Sequence, residues 1–86
     1  VLEFEQDSWT EVTDADGRRL LYALAPAGSR RVLRGKAPFE VFLGYAPGVT
    51  VRYQGEVFEH GRYHRQDIAR FTVGEPEDNA PLTGSR

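Results

Sequence analysis

The chain has 86 residues and a formal net charge of −2, with 11 basic and 13 acidic side chains mixed along its length. This length allows one small domain, and the absence of cysteine excludes disulfides and thiolate metal sites. The mixed charge lacks the dense basic face typical of nucleic-acid-binding domains. No apolar run approaches the roughly 20 residues that a membrane-spanning helix needs.

The first half of the chain predicts short strands separated by turns. Residues 1–5 alternate, with Leu2 and Phe4 on one side. Residues 9–24 read as a hairpin around the turn at residues 14–17, because Asp14 can bond its own backbone and Gly17 accepts a positive φ. A second turn at residues 26–29 is followed by a predicted short strand that ends at Gly35.

The stretch from Gly35 to Val51 holds a strand between two Ala-Pro pairs. Pro38 has no backbone donor, so it suits the start of a strand, and it favours an extended Ala37. Alternation then places Phe39, Val41 and Leu43 on one face, and we predict that they are buried with Trp9 and Phe71. Pro47 and Gly48 fit the central positions of a tight turn.

The second half predicts a hairpin, a polar connection and a last strand. Gln54-Gly55 is the expected hairpin tip, and residues 60–67 are predicted to be irregular, with ordinary loop histidines. The last strand, residues 68–74, has Ala69, Phe71 and Val73 on one side. The fold predicted is all-β, a small antiparallel β-sandwich of about seven short strands over residues 1–74, and a disordered polar tail over residues 75–86.

Residues that could carry chemistry are few. His60 and His64 have the H-x3-H spacing of a metal pair, but Gly61 lies between them and no helix is expected. The turn at Asp14 resembles the start of a calcium-binding loop without its closing glutamate. No serine has a neighbouring base in a known nucleophile motif. We therefore predict no catalytic residue, no metal site and no cofactor.

The aromatic residues leave an alternative open. Five of them could form a flat stacking platform for a glycan: Trp9, Tyr22, Tyr45, Tyr53 and Tyr63. Such residues more often lie at the edge of a core with the hydroxyl at the rim. Strand alternation places Tyr45 and Tyr53 in the same parity as core residues, which favours this second reading.

A family resemblance rests on the order and spacing of many short elements. They are Ser8-Trp9, the turn at residues 14–17, residues 20–22, Ala27-Gly28, residues 35–38, residues 43–47, Gln54-Gly55 and the strand at residues 68–74. Over residues 2–74 the chain resembles the C-terminal periplasmic domains of RodZ-type bacterial cell-shape proteins. It departs from that pattern at Tyr45 and Gln54, where the family often has Asn.

The resemblance implies a location and a set of partners. The parent protein is expected to have a cytoplasmic helix-turn-helix domain, one transmembrane helix and this domain in the periplasm, tethered to the inner membrane. RodZ-like proteins link the MreB cytoskeleton to the wall-elongation machinery, and MreB meets only the cytoplasmic part. This domain is then expected to bind periplasmic elongation proteins or peptidoglycan, without nucleic acid and without direct membrane contact.

Three functions therefore remain in view. The first is a non-enzymatic interaction or scaffold domain that helps maintain rod shape. The others are a peptidoglycan- or glycan-binding module and an inert domain that stabilises its parent. For partner binding we predict the turn residues Gly44, Tyr45 and Pro47 together with Gln54 and Gly55, because a tyrosine beside a tight turn offers a large contact area at low entropy cost.

Overall fold

The computed structural model describes residues 1–75. Its strands are β1 (Leu2–Phe4), β2 (Ser8–Thr13), β3 (Arg19–Ala25), β4 (Arg30–Arg31), β5 (Phe39–Leu43), β6 (Val49–Tyr53), β7 (Glu56–Phe58), β8 (His64–Arg65) and β9 (Ile68–Val73). One sheet has the order β4-β1-β6-β7 and the other β3-β2-β5-β9-β8, and every pairing recorded is antiparallel. Within residues 1–75 there is no helix able to cross a membrane.

The prediction of an all-β, antiparallel fold is confirmed. The described residues form nine strands rather than about seven, because two-residue strands also pair at the sheet edges. One of these, β4, replaces the longer strand expected up to Gly35. The other, β8, lies in the connection that was expected to be irregular, where a 3-10 turn at Gly61–Tyr63 precedes it. The predicted tail, apart from Glu75, lies outside the described residues.

The core lies between the two sheets and follows the period-two alternation of their strands. Leu2, Phe4, Val49 and Val51 come from the first sheet, and Val12, Ala25, Val41, Leu43, Ala69, Phe71 and Val73 come from the second. Strand β9 shows this most clearly, since its residues alternate between exposed and buried along its whole length. Successive strand side chains point to opposite faces, so one register decides which set is buried.

Two of the five residues predicted to be buried in the core are not fully buried. Trp9 is 38% exposed, so its predicted burial is wrong. Strand β2 turns Ser8, Thr10 and Val12 inward, which places Trp9 on the outer face of the sheet. Phe39 is only partly buried and packs at the rim of the core against Tyr53, while Val41, Leu43 and Phe71 are buried as predicted.

The hairpin from β2 to β3 closes through Asp14, as predicted. Its carboxylate oxygen Oδ1 accepts hydrogen bonds from the backbone N–H groups of Asp16 and Arg18, at 3.0 and 2.9 Å. Burial by itself raises the pKa of Asp14, but the backbone N–H groups of Arg18, Asp16 and Lys36 outweigh it and hold that pKa below its ordinary value. The Asp14 carboxylate, at the start of the segment that resembles a calcium-binding loop, therefore accepts hydrogen bonds within the turn.

Candidate interaction surfaces

The first predicted surface is the corner, residues 44–48, which joins β5 to β6. Here Pro47 and Gly48 occupy the centre of a β-turn closed by the bond from the Val49 N–H to the Ala46 carbonyl, at 3.1 Å. Gly48 has a φ of +80°, which a type II turn requires at this position. Tyr45 is 37% exposed beside a fully buried Ala46.

Three other segments hold the corner by hydrogen bonds. The Gly44 N–H donates to the Trp9 carbonyl at 2.7 Å, and the Tyr45 N–H donates to the Ser8 hydroxyl at 3.1 Å. The Ala46 N–H donates to the Asp67 carbonyl at 2.6 Å, and the Gly48 carbonyl accepts from the Glu5 N–H at 2.9 Å. The backbone of the corner is therefore part of the fold, and only the Tyr45 side chain and the Pro47-Gly48 turn remain for a partner to contact.

The second predicted surface is the tip, Gln54-Gly55, which joins β6 to β7. Both residues have positive φ, +54° and +83°, which defines a type I′ hairpin turn. Both are exposed, and a Cβ added at Gly55 would meet nothing within 4 Å. The corner and the tip lie at opposite ends of β6, roughly 20 Å apart at the usual strand rise. The structure does not bring them together, so they form two surfaces rather than one.

Trp9, which was wrongly predicted to be buried, belongs to a third surface. Trp9 and Leu24 are cross-strand neighbours on the outer face of β2 and β3, and Leu24 is 56% exposed. The Tyr22 ring stands edge-on to Trp9, with centroids 5.2 Å apart and an interplanar angle of 82°. We call Trp9, Tyr22 and Leu24 the outer strip. It borders the corner, because a Cβ at Gly44 would lie 3.2 Å from the Trp9 Cβ.

Charged groups fix the outer strip in place. The Arg19 guanidinium lies 4.1 Å above the Tyr22 ring centroid, and Trp9 Nε1 donates to the Glu11 carboxylate at 2.8 Å. Trp, Tyr and Arg are the residue types that dominate the energetic centres of protein interfaces. The alternation of β2 could have revealed this surface if Ser8 and Thr10 had been read as the inward residues.

The five aromatic residues considered for a glycan platform do not share one plane. Trp9 and Tyr22 lie on the outer strip with nearly perpendicular rings. Tyr53 packs edge-on to Phe39, and Tyr63 stacks on Phe58. Tyr45 lies at the corner. A sugar ring stacks on an aromatic face, so this arrangement offers separate small contacts rather than one flat surface.

The two histidines are not ordinary loop residues. His60 is buried, and its Nε2 lies 2.7 Å from the Val49 carbonyl, which can only accept, so Nε2 carries a hydrogen. Its Nδ1 lies 2.8 Å from His64 Nε2, and its ring stacks on Phe71 with centroids 5.3 Å apart. The expectation of ordinary loop histidines is wrong, because this polar segment packs a ring against the core. Among residues 1–75 no cluster of three or more His, Cys, Asp or Glu side chains could hold a metal ion.

Comparison with known proteins gives one family. The family model described as the RodZ C-terminal domain matches residues 1–72, which include all nine strands except the last residue of β9. No solved structure matches the chain.

Proposed function

We propose, since the chain belongs to the RodZ C-terminal domain family, that it is a non-enzymatic interaction domain by which a cell-shape protein contacts the wall-elongation machinery. Its place in this proposal is the periplasm, tethered to the inner membrane by an upstream helix of the parent. The family match carries the proposal, because it covers nearly the whole described domain and belongs to a cell-shape protein. Membership of this non-catalytic, scaffold family also supports the absence of enzymatic activity.

The surface that best supports protein binding is the outer strip with the adjoining corner. It combines two exposed aromatic rings, an exposed leucine and an arginine held over a ring, close to the half-exposed Tyr45. Aromatic residues and arginine are enriched where protein interfaces bury most of their energy. The partner in this proposal is a protein of the elongation machinery, and MreB is reached only through the cytoplasmic part of the parent.

Peptidoglycan binding is the other candidate, and binding assays separate the two. Purified domain on beads is incubated in one arm with detergent-solubilised elongation proteins and in the other with isolated peptidoglycan sacculi. The proposal expects capture of an elongation protein that is reduced by Trp9→Ala. Val57→Ala is the matched control, because Val57 is similarly exposed, at 47%, but lies on β7 in the other sheet. Retention on sacculi alone would favour the glycan-binding module.

The inert alternative is tested in cells. A parent protein that lacks residues 1–74 is expressed, at a matched level, in cells without the parent gene. The proposal expects rounded or irregular cells. In a separate fusion, a reporter placed after the intact domain of the full-length parent is expected to be active in the periplasm. Normal rod shape in these cells would instead favour a domain that only stabilises its parent.

A further inference from the structure

The two histidines of the H-x3-H pattern form a contact that the proposed function does not use. His60 Nδ1 lies 2.8 Å from His64 Nε2, while the ring centroids are 4.9 Å apart, so the rings meet end to end at these two atoms. The His60 ring is buried and stacks on Phe71, and His64 is half-buried on β8. Buried polar atoms need hydrogen-bond partners, so the hydrogens of this pair must be arranged to satisfy both rings.

The Val49 carbonyl decides which nitrogen atoms carry hydrogen. It can only accept, so His60 Nε2, 2.7 Å away, is the donor. In a neutral His60 ring the Nδ1 atom is then an acceptor, and the contact with His64 requires His64 Nε2 to donate. The neutral pair therefore has one hydrogen between its facing nitrogens, and the Nδ1 atom of His64 is left as an acceptor.

This arrangement can take up one proton but not two. A first proton on Nδ1 of His64 leaves the hydrogen between the rings in place and makes that hydrogen bond charge-assisted. A second proton would put a hydrogen on both facing nitrogens, so that neither could accept, and a positive charge on each ring. One of these charges would lie on the buried His60, where burial also disfavours it. The second proton therefore requires the contact to open.

The histidine contact ties the polar segment of residues 60–67 to the corner. At the start of this segment, His60 donates to the carbonyl of Val49, which directly follows the corner. At its end, the Asp67 carbonyl accepts from the Ala46 N–H at 2.6 Å. We call the contact between the two histidines, with its bond to Val49, the histidine latch. A change in the latch reaches the corner through a single hydrogen bond.

Other titratable groups surround the latch but are exposed. The elements packed against it carry the following titratable or charged side chains: Tyr45 at the corner, Arg52 on β6, Glu56 and Glu59 at β7, Arg62, Tyr63, Arg65 and Asp67 in the segment, and Arg70 on β9. The ion pairs found within residues 1–75 do not involve either histidine. Glu59 lines a cavity of about 270 Å³ together with both histidines, so it is the carboxylate that a test must control for.

We propose that the histidine latch is a proton-operated switch, closed with no added proton or one, and opened by the second. Opening releases residues 60–67 from the corner, while the two sheets stay folded because their core cluster lies outside this segment. Histidine is the side-chain type that changes charge between pH 5 and pH 8. Since the proposed function gives the corner to a partner, opening is expected to weaken that contact in acid, and this consequence rests on the proposed function.

The direct test is amide hydrogen exchange of the 86-residue chain between pH 7 and pH 5, expressed as protection factors. The open segment holds one more proton than the closed latch, so the protection of residues 60–67 is expected to fall by about tenfold for each pH unit in which this difference applies. The amides of β2 and β5 are expected to keep their protection. Constant protection of residues 60–67, or an equal fall in β2 and β5, would overturn the proposal.

One conservative variant separates the shared hydrogen from simple burial. His64→Gln keeps a donor and an acceptor at the same number of bonds from Cα as the histidine Nε2, but it cannot take up a charge. Its protection factors are expected to stay nearly constant as the pH falls. The same fall as in the parent would mean that burial of His60 alone causes it, and would contradict the latch.

Glu59→Gln is the matched control for the neighbouring carboxylate. It makes the same kind of change at an exposed position beside the latch and is expected to leave the pH response of the parent intact. Loss of the response in Glu59→Gln would assign it to that carboxylate and overturn the proposal.

The histidine ring signals of the parent chain give a readout that needs no variant to fold. Two interacting groups take up protons in two separate steps. The ring signals of His60 and His64 are expected to show both steps, and the amide signals of residues 60–67 are expected to change mainly with the second. A single common step for both rings would contradict the latch.

The consequence for partner binding is measured separately. Capture of an elongation protein by the parent chain is expected to be several-fold weaker at pH 5 than at pH 7, while His64→Gln is expected to lose much less. Equal losses in the two proteins would overturn regulation by the latch. If the exchange results agree with the proposal but no protein is captured at either pH, the latch stands and the proposed function falls.

Discussion

The two ends of strand β6 are both tight turns built on a positive-φ glycine, yet they stand in opposite relations to the fold. At the corner, hydrogen bonds reach three other segments of the chain, at Glu5, at Ser8 and Trp9 of β2, and at Asp67. At the tip, Gly55 has no neighbour for a side chain, and the turn is held by its own hairpin. The corner joins distant parts of the chain, whereas the tip only reverses its direction.

This difference separates what a substitution at each end reports. A change in the corner backbone is expected to alter the stability of the whole domain, because all but one of the hydrogen bonds described there connect it to distant segments of the chain. A change at the tip is expected to alter only the local turn, because a side chain at Gly55 meets no neighbouring atom. Loss of function after a tip substitution is therefore evidence for binding, and the same loss at the corner needs a stability measurement beside it.

The largest effect is expected where the corner meets the core. Leu43 is fully buried in the last position of β5, so Leu43→Ala is expected to lower the free energy of unfolding by about 2–5 kcal/mol. Val57 beside the tip is 47% exposed, and Val57→Ala is expected to cost no more than about 0.5 kcal/mol. Urea unfolding measures both, and similar midpoints for the two variants would remove the distinction between the two ends.

A matched pair of glycines sharpens the comparison. Gly48 and Gly55 have φ values of +80° and +83°. Replacing either with alanine is expected to cost about 1–2 kcal/mol of stability, because a Cβ atom disfavours this left-handed backbone conformation. At Gly48 the new Cβ would also lie 3.3 Å from the Glu5 Cβ, while at Gly55 it meets open space. Gly48→Ala is thus expected to destabilise the domain more than Gly55→Ala in thermal melts. The reverse order would show that the corner accommodates the added methyl group without losing stability.

The smallest effect is expected at the tip itself. Gln54 has a φ of +54°, where a residue other than glycine is strained and asparagine is better tolerated. Gln54→Asn is expected to raise the free energy of unfolding by at most about 1 kcal/mol, and Gln54→Val is expected to lower it. Denaturant unfolding resolves the two signs. A less stable Asn variant would mean that the Gln54 side chain has a structural role.

The parts of the fold that could be predicted are those with local signals. Alternation identified the buried residues of β1 and β9, and the dipeptides Pro47-Gly48 and Gln54-Gly55 identified their turns because few residues tolerate such backbone angles. Strand β2 was misjudged because its inward residues, Ser8 and Thr10, are polar. Both hydroxyls have hydrogen-bond partners, because the Ser8 hydroxyl accepts from the distant Tyr45 N–H and the Thr10 hydroxyl donates to the Ser8 carbonyl. These polar residues can therefore be buried, whereas hydrophobicity alone favours burial of Trp9.

The functional surfaces were less predictable, since they depend on pairing between distant segments. Glu3 contacts both Arg30 and Arg52 only because β4 and β6 both pair with β1. The burial of His60 depends on the Val49 carbonyl and the Phe71 ring, and neither is near it in sequence. Sequence order separates these groups, and the register of the sheets brings them together.

The most direct test of the interaction function is Tyr45→Ala, measured for both thermal stability and rod-shape complementation by the full-length parent. Tyr63→Ala is the control, because the two tyrosines have nearly equal exposure, 37% and 39%, at different sites. The account predicts that Tyr45→Ala melts close to the parent yet fails to restore rod shape, while Tyr63→Ala restores it whenever it remains folded. A stable Tyr45→Ala protein that restores normal rods would contradict the assignment of the corner as a binding surface.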